Sequence, residues 1–135
     1  MNDCIFCKIL NKEIPAEILF EDDETIAFLD IRPISKGHTL VIPKEHSTDF
    51  NDTSREYLMA ITQTVKIVSR AIMKALGASG FNIGVNNGES AGQVIFHAHW
   101  HVIPRFDRDG LVPWPEKEYG DGEISIIAEK IRAQF

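Results

Sequence analysis

The longest regular pattern in the chain is a stripe of apolar residues at Leu58, Ile61, Val65, Val68, Ile72 and Leu76. Spacings of three and four mark the face of one amphipathic α-helix, destined to lie on a sheet. Thr53 followed by Glu56 has the form of a capping box at its start, and Gly77 supplies the stop. Upstream, segments 16–20 and 25–31 are rich in β-branched and aromatic residues. The acidic run from Glu21 to Glu24 lies between them, so the pair reads as a hairpin with a solvated turn. Residues 38–43 (HTLVIP) form a third strand, and 81–86 and 97–103 supply two more across a Gly/Asn-rich connection. A short helix over 3–11, capped by Asp3, precedes the strands. A last helix starts at Gly122 and carries Ile124, Ile127, Ile131 and Phe135 on one side. Helices set apart from runs of strands indicate an α+β fold with an antiparallel sheet.

Composition narrows the class. A length of 135 residues, without repeats or low-complexity linkers, reads as a single domain over 1–135. Fourteen basic against 20 acidic residues give a net charge of −6, which disfavours nucleic acid as a partner but not a small anionic ligand. No apolar run approaches the roughly 18 residues of a membrane span. The first residues lack the pattern of a secretory signal, so a cytoplasmic protein without a membrane partner is expected.

The chemistry concentrates in His97-Ala98-His99-Trp100-His101-Val102-Ile103-Pro104. On a strand the three imidazoles share one face, and Ala98, Trp100 and Val102 take the other. One ion cannot be held by all three, because the first and third stand about 13 Å apart at strand rise. A row suits nucleophilic chemistry better. A neutral imidazole nitrogen attacks phosphorus while its other nitrogen is held as N–H, and its neighbours supply protons and orient oxygens. Cys4 and Cys7 are the only cysteines. Placed at i and i+3 on a short helix they share a face, as two zinc ligands should, and no βαβ context supports a redox site.

The row matches the His-φ-His-φ-His-φ-φ signature, with φ apolar, and the chain resembles the histidine triad (HIT) superfamily, most of all its Hint-type and bacterial branch. Cys4-Ile5-Phe6-Cys7, Lys12 to Ala16, Phe28-Leu29-Asp30-Ile31 and Gly37 to Lys44 fit the same family in order. The likeness covers a core of about 4–105 and leaves 106–135 as a C-terminal tail and helix. It implies a HIT-like fold with five antiparallel strands, one long helix and a short N-terminal helix. It also implies a homodimer joined through the long helix and a sheet edge. By the same likeness His99 attacks the α-phosphate of a nucleotide, forming a nucleotidyl-imidazole that water hydrolyses. His101 contacts the phosphate, and His97 and His38 complete the catalytic histidines. Asp30 takes the ribose, and Phe6, Ile9, Phe28 and Ile31 form an apolar slot for the base. Asn86, Gly92, Gln93 and Val94 lie by the phosphate or leaving group. Relatives often carry a small hydroxyl residue where Val94 stands, so here only a backbone N–H can serve. Cys4, Cys7, His46 and His97 match a structural zinc site of bacterial relatives, and the mechanism needs no magnesium. The implied activity is hydrolysis of nucleoside phosphoramidates or related nucleotidyl conjugates, releasing a purine mononucleotide. Three alternatives stand beside it: a Fhit-like dinucleoside polyphosphate hydrolase, a nucleotide-binding or protein-interaction module, and a metal-dependent hydrolase.

Overall fold

Asp22 builds the first turn by itself. Its Oδ1 accepts the backbone N–H groups of Glu24 and Thr25 at 2.9 and 2.8 Å and the Thr25 hydroxyl at 3.1 Å. The acidic run is therefore a turn with a hydrogen-bonded purpose, and strands leave it on both sides. In the computed structural model, which describes residues 3–135, these are β1 (Ile18–Glu21) and β2 (Thr25–Leu29). After them come β3 (Thr39–Pro43), β4 (Gly80–Gly84) and β5 (Trp100–Arg105). The helices are α1 (Ile5–Leu10), α2 (Arg55–Leu76) and α3 (Glu123–Arg132), and a single 3-10 turn covers Glu89–Ala91. The five strands pair antiparallel in the order β1-β2-β3-β5-β4. The α+β expectation is met.

Two apolar layers sandwich the sheet. On one face Ile61, Val65, Val68 and Ile72 of α2 pack on Ala27, Val41, Ala98, Trp100 and Val102. On the other, Phe6 and Ile9 of α1 pack on Ile26, Phe28, Leu40 and Ile42. Strands β2 and β3 are thus buried on both sides, which is why they read as continuous apolar runs rather than alternating ones. Each such fully buried side chain contributes roughly 1.5–3 kcal/mol by leaving water.

Several boundaries move, each for a local reason. Helix α1 is capped by the Cys4 side chain, which accepts from the Cys7 N–H, rather than by Asp3. Helix α2 is capped by Ser54 rather than Thr53. The Thr53 hydroxyl is drawn inward, donating to the Asp49 carbonyl at 2.7 Å and sitting 2.7 Å from the Ser47 hydroxyl. Strand β2 stops at Leu29 because Asp30 turns the chain, its Oδ1 accepting the Arg32 N–H at 2.8 Å. Strand β5 begins only at Trp100, since the Ala98 N–H donates to the Ser47 carbonyl at 2.7 Å instead of to a neighbouring strand. The α2 stripe is core as far as Ile72, but Leu76 stays 46% exposed. It rests over Gly37, whose φ of +101° and lack of a Cβ let the Leu76 side chain come close.

Candidate functional site

Although only His101 belongs to a regular strand, the alternation persists through the extended segment before it. Ala98 and Trp100 enter the layer under α2. The Phe6 ring on the opposite layer lies edge-on to His97 and His99, with centroids 5.9 and 5.1 Å apart. His99 and His101 follow at 5.0 Å, and His101 and His38 at 5.1 Å. Four imidazoles therefore form one continuous row on the α1 side of the sheet.

The hydrogen bonds assign a proton to each. His99 Nδ1 lies 2.7 Å from the His97 backbone carbonyl, an acceptor only, so Nδ1 carries the proton and Nε2 keeps a free lone pair. The Ile34 backbone N–H donates to His38 Nδ1 at 3.0 Å, which leaves the His38 proton on Nε2. That proton is donated to His101 Nδ1 at 2.8 Å. Neutral His101 then carries its own proton on Nε2. Among the described residues this is the one buried side-chain polar atom without a partner. A donor taken from water and left unmatched costs about 1–3 kcal/mol unless something arrives to accept from it. It belongs to the ring next to His99, whose Nε2 keeps a free lone pair.

Electrostatics keep the row neutral. Burial, then His99 and His38, push His101 down to about 4. Burial also lowers His38 and His99, with Asp30 pulling both the other way. The groups facing His101 are thus His99, His38 and Asp30. Because the ordinary imidazole value is 6.5, the unfolded chain takes up these protons first as the pH falls. The row's contribution to stability is therefore complete above about 6.5 and is lost as the pH falls toward about 4. The urea midpoint should drop between pH 7 and pH 4.5, and drop less in His101→Gln, where one of these groups is gone. Equal drops in the two proteins would contradict this reading.

A second cluster lies at the other end of the row. Cys4 Sγ is 3.5 Å from His97 Nδ1, and Cys7 Sγ is 3.6 Å from the same atom and 3.3 Å from His46 Nδ1. All four donor atoms fall within 4.8 Å of one another. Tetrahedral zinc, with bonds of about 2.3 Å to sulfur and about 2.05 Å to nitrogen, separates such donors by about 3.6 Å, so the set fits a zinc ion. The protonation states fit as well. His97 is held to about 4, chiefly by burial, so it is the neutral imidazole a metal needs. Its Nε2–H donates to the Pro43 carbonyl at 3.0 Å, which turns Nδ1 toward the thiols. Burial and the adjacent Cys4 push the Cys7 thiol up to about 11, so two bare thiolates cannot coexist there without a cation.

The remaining nucleotide-binding expectations are placed unevenly. Phe6, Ile9 and Phe28 are brought together beneath the row, with Phe6 and Phe28 edge to face at 5.6 Å. Ile31 is not with them; it lies past the strand end, 92% exposed. Asp30 Oδ2 is 3.7 Å from His38 Nε2, and only its Oδ1 is taken by the turn. Asn86 Nδ2 donates to the Gly92 carbonyl at 3.5 Å. The buried Gln93 amide is fully engaged within its loop, accepting from the Gly88 N–H and donating to the Thr48 and Ile95 carbonyls. It shapes the connection before the row, and Val94 beside it points to solvent. Sequence reasoning missed the backbone groups of Ile34, Pro43 and His97, which fix the histidine protons. No residue-type signal could have revealed them.

A family model of the HIT domain matches residues 11–108. The chain is 49% identical over 110 residues to the adenylylsulfatase HINT3 of Arabidopsis thaliana, covering 82% of this chain and 56% of that one. It therefore spans little more than half of that relative's length. It is 42% identical over 134 residues to the adenosine 5′-monophosphoramidase hnt1 of Schizosaccharomyces pombe, covering 98% of each. The crystal structure of a Zn-bound histidine triad family protein from Mycobacterium smegmatis superposes with a TM-score of 0.79 at 35% identity, over 98% of both chains. Among the described residues, no helix is long and apolar enough to cross a membrane.

Proposed function

The chain belongs to the HIT-domain family, and from that premise we propose that it is a nucleotide hydrolase that opens nucleoside phosphoramidates or related nucleotidyl conjugates through a covalent intermediate on His99. One observation carries the reading: His99 keeps a free Nε2 lone pair, and the neighbouring ring, 5.0 Å away centroid to centroid, is His101 with its unpartnered Nε2–H. His99 Nε2 attacks the α-phosphorus, and the bond from phosphorus to the leaving group breaks. The imidazole becomes cationic, and its Nδ1–H strengthens its bond to the His97 carbonyl. His101 Nε2–H binds a phosphate oxygen or the leaving atom. His38, itself oriented by the Ile34 N–H, holds that proton on the outward nitrogen. The amine departs with the bonding pair of the P–N bond and takes a proton from solvent. Water then attacks phosphorus and gives a proton back to solvent, the bond to His99 breaks with its electron pair returning the imidazole to neutral, and a purine mononucleotide leaves.

The rest of the reading follows the same site. Asp30 Oδ2 accepts a ribose hydroxyl, and the Phe6, Ile9 and Phe28 cluster backs the base. Asn86, Gly92, Gln93 and Val94 form the loop beside the leaving group, and it is the loop's backbone that touches phosphate. Cys4, Cys7, His46 and His97 hold one structural zinc, supported by the donor spacing, with all four tetrahedral positions filled by protein. Residues 1–135 act as one domain, in the cytoplasm, where the two thiols stay reduced. The unit is a homodimer: β4 is an unpaired sheet edge carrying Phe81 and Ile83 at 39% and 54% exposure beside α2.

Release of adenosine monophosphate from adenosine 5′-phosphoramidate, set against cleavage of a diadenosine polyphosphate, tests the substrate class. We expect kcat/KM to favour the phosphoramidate by about tenfold or more, a transition-state difference of about 1.4 kcal/mol. A preference for the dinucleotide would move the protein to the Fhit-like alternative.

A further inference from the structure

Two apolar surfaces are left over once the sheet, its two layers and the histidine row are accounted for. One is a groove on the α2 side of the sheet, between the β1–β2 hairpin and the C-terminal half of α2. It has a volume of about 530 Å³ and is lined by Leu19, Leu29, Ile67, Ala71, Ala75 and Leu76. Its walls are open to water, with Leu19, Ile67 and Leu76 46–48% exposed. The other is helix α3. Ile124, Ile127 and Ile131 fall at i, i+3 and i+7, with Phe135 continuing the face, yet no residue of α3 is buried. A helix of 10 residues is marginal in water by itself, so its order calls for a surface to lie on.

We propose that α3 of one copy of this chain docks, apolar face inward, in the groove beside α2 of a second copy. The isoleucine spacing is that of a helix laid in a groove, with side chains entering at i, i+3 and i+7. The charges suit the fit at one end: Lys36 lines the groove, and acidic Glu123 opens α3. Residues 106–122 connect β5 to α3 without a helix or strand. Fully extended they span about 55 Å, enough to cross to another copy, and a connection this long is uncommon inside one compact domain. Within its own chain α3 lies off the groove, which leaves both surfaces uncovered. The contact rests on the dimer proposed above for its second copy, but it uses a different flank of α2 from the β4 edge.

Hydrogen exchange read by mass spectrometry on full-length protein tests this with Ala71→Arg, which blocks the groove, and Ile131→Glu, which spoils the helix face. Both positions are exposed, so neither change disturbs the core. Amides of residues 123–132 should exchange at least about tenfold more slowly in the native protein than in either variant. The decisive sample is the mixed dimer, co-expressed with two tags and with one copy isotopically labelled. In it, α3 of the Ala71→Arg copy meets an intact groove and regains protection, whereas α3 of the Ile131→Glu copy does not. Unprotected α3 in the native protein, or protection indifferent to Ala71→Arg, overturns the proposal. A mixed dimer in which neither helix regains protection means that α3 docks on its own chain. Failure to obtain any mixed dimer overturns the dimer itself and this contact with it.

Discussion

His99→Ala yields a folded protein whose release of adenosine monophosphate from adenosine 5′-phosphoramidate is slower by at least about 10³-fold. The size of the effect follows from what the other residues can and cannot replace. His101 has a proton on Nε2 but no free lone pair, because its Nδ1 accepts from His38. His97 has both ring nitrogens committed, one to the Pro43 carbonyl and one to the thiols. His38 lies behind His101, also with both nitrogens engaged. None of the other three histidines of the row can take its place as nucleophile, so the variant falls back on whatever positioning offers to water. His99 is 8% exposed and its ring meets Phe6, so truncation leaves a small cavity and costs some stability. Circular dichroism and a melting curve establish the fold before rates are compared. Retained binding of adenosine monophosphate by the variant separates lost chemistry from a lost site. Equal, negligible rates in native protein and variant would instead favour a binding module.

The same deletion shows how differently two kinds of information were written in the chain. The row itself was legible because histidine at every second position of an apolar stretch is a coincidence of residue type with strand period. The long helix was legible through Ile61, Val65, Val68 and Ile72, whose spacing is fixed by the helix. What could not be read were interactions through the backbone, which has no sequence. The Ala98 N–H bonded to Ser47 shortens β5, and the His97 carbonyl sets the tautomer of His99. Caps were ambiguous for a related reason. Thr53 and Ser54 are both good N-caps, and the choice fell to Ser54 because the Thr53 hydroxyl found Asp49 and Ser47. Ile31 entered the base slot through the family likeness, and the Asp30 turn just before it leaves its side chain 92% exposed, apart from the buried Phe6, Ile9 and Phe28.

Removing the metal from the four-donor cluster, by chelation or by Cys7→Ser, lowers the melting temperature by about 10 °C or more, and elemental analysis of the native protein finds about one zinc per chain. The effect is large because the cluster ties three separate parts of the chain together at one point. Cys4 and Cys7 come from the first turn of α1, His46 from the loop after β3, and His97 from the segment before β5. Without a cation, a raised Cys7 thiol and a buried neutral His97 remain, and α1 is held by its apolar layer, chiefly Phe6 and Ile9. The loss of stability should therefore begin at α1, with its amides exchanging first. Turnover tells whether the ion does more than this. Two thiolates and two imidazoles would fill all four positions of a tetrahedral ion, leaving none for substrate or water. Well below both melting temperatures, the metal-free protein should keep its rate within about tenfold, any drop arising because His97 carries the carbonyl that orients His99. A folded metal-free protein slower by several orders of magnitude would identify the metal-dependent alternative and displace His99 as the source of the chemistry.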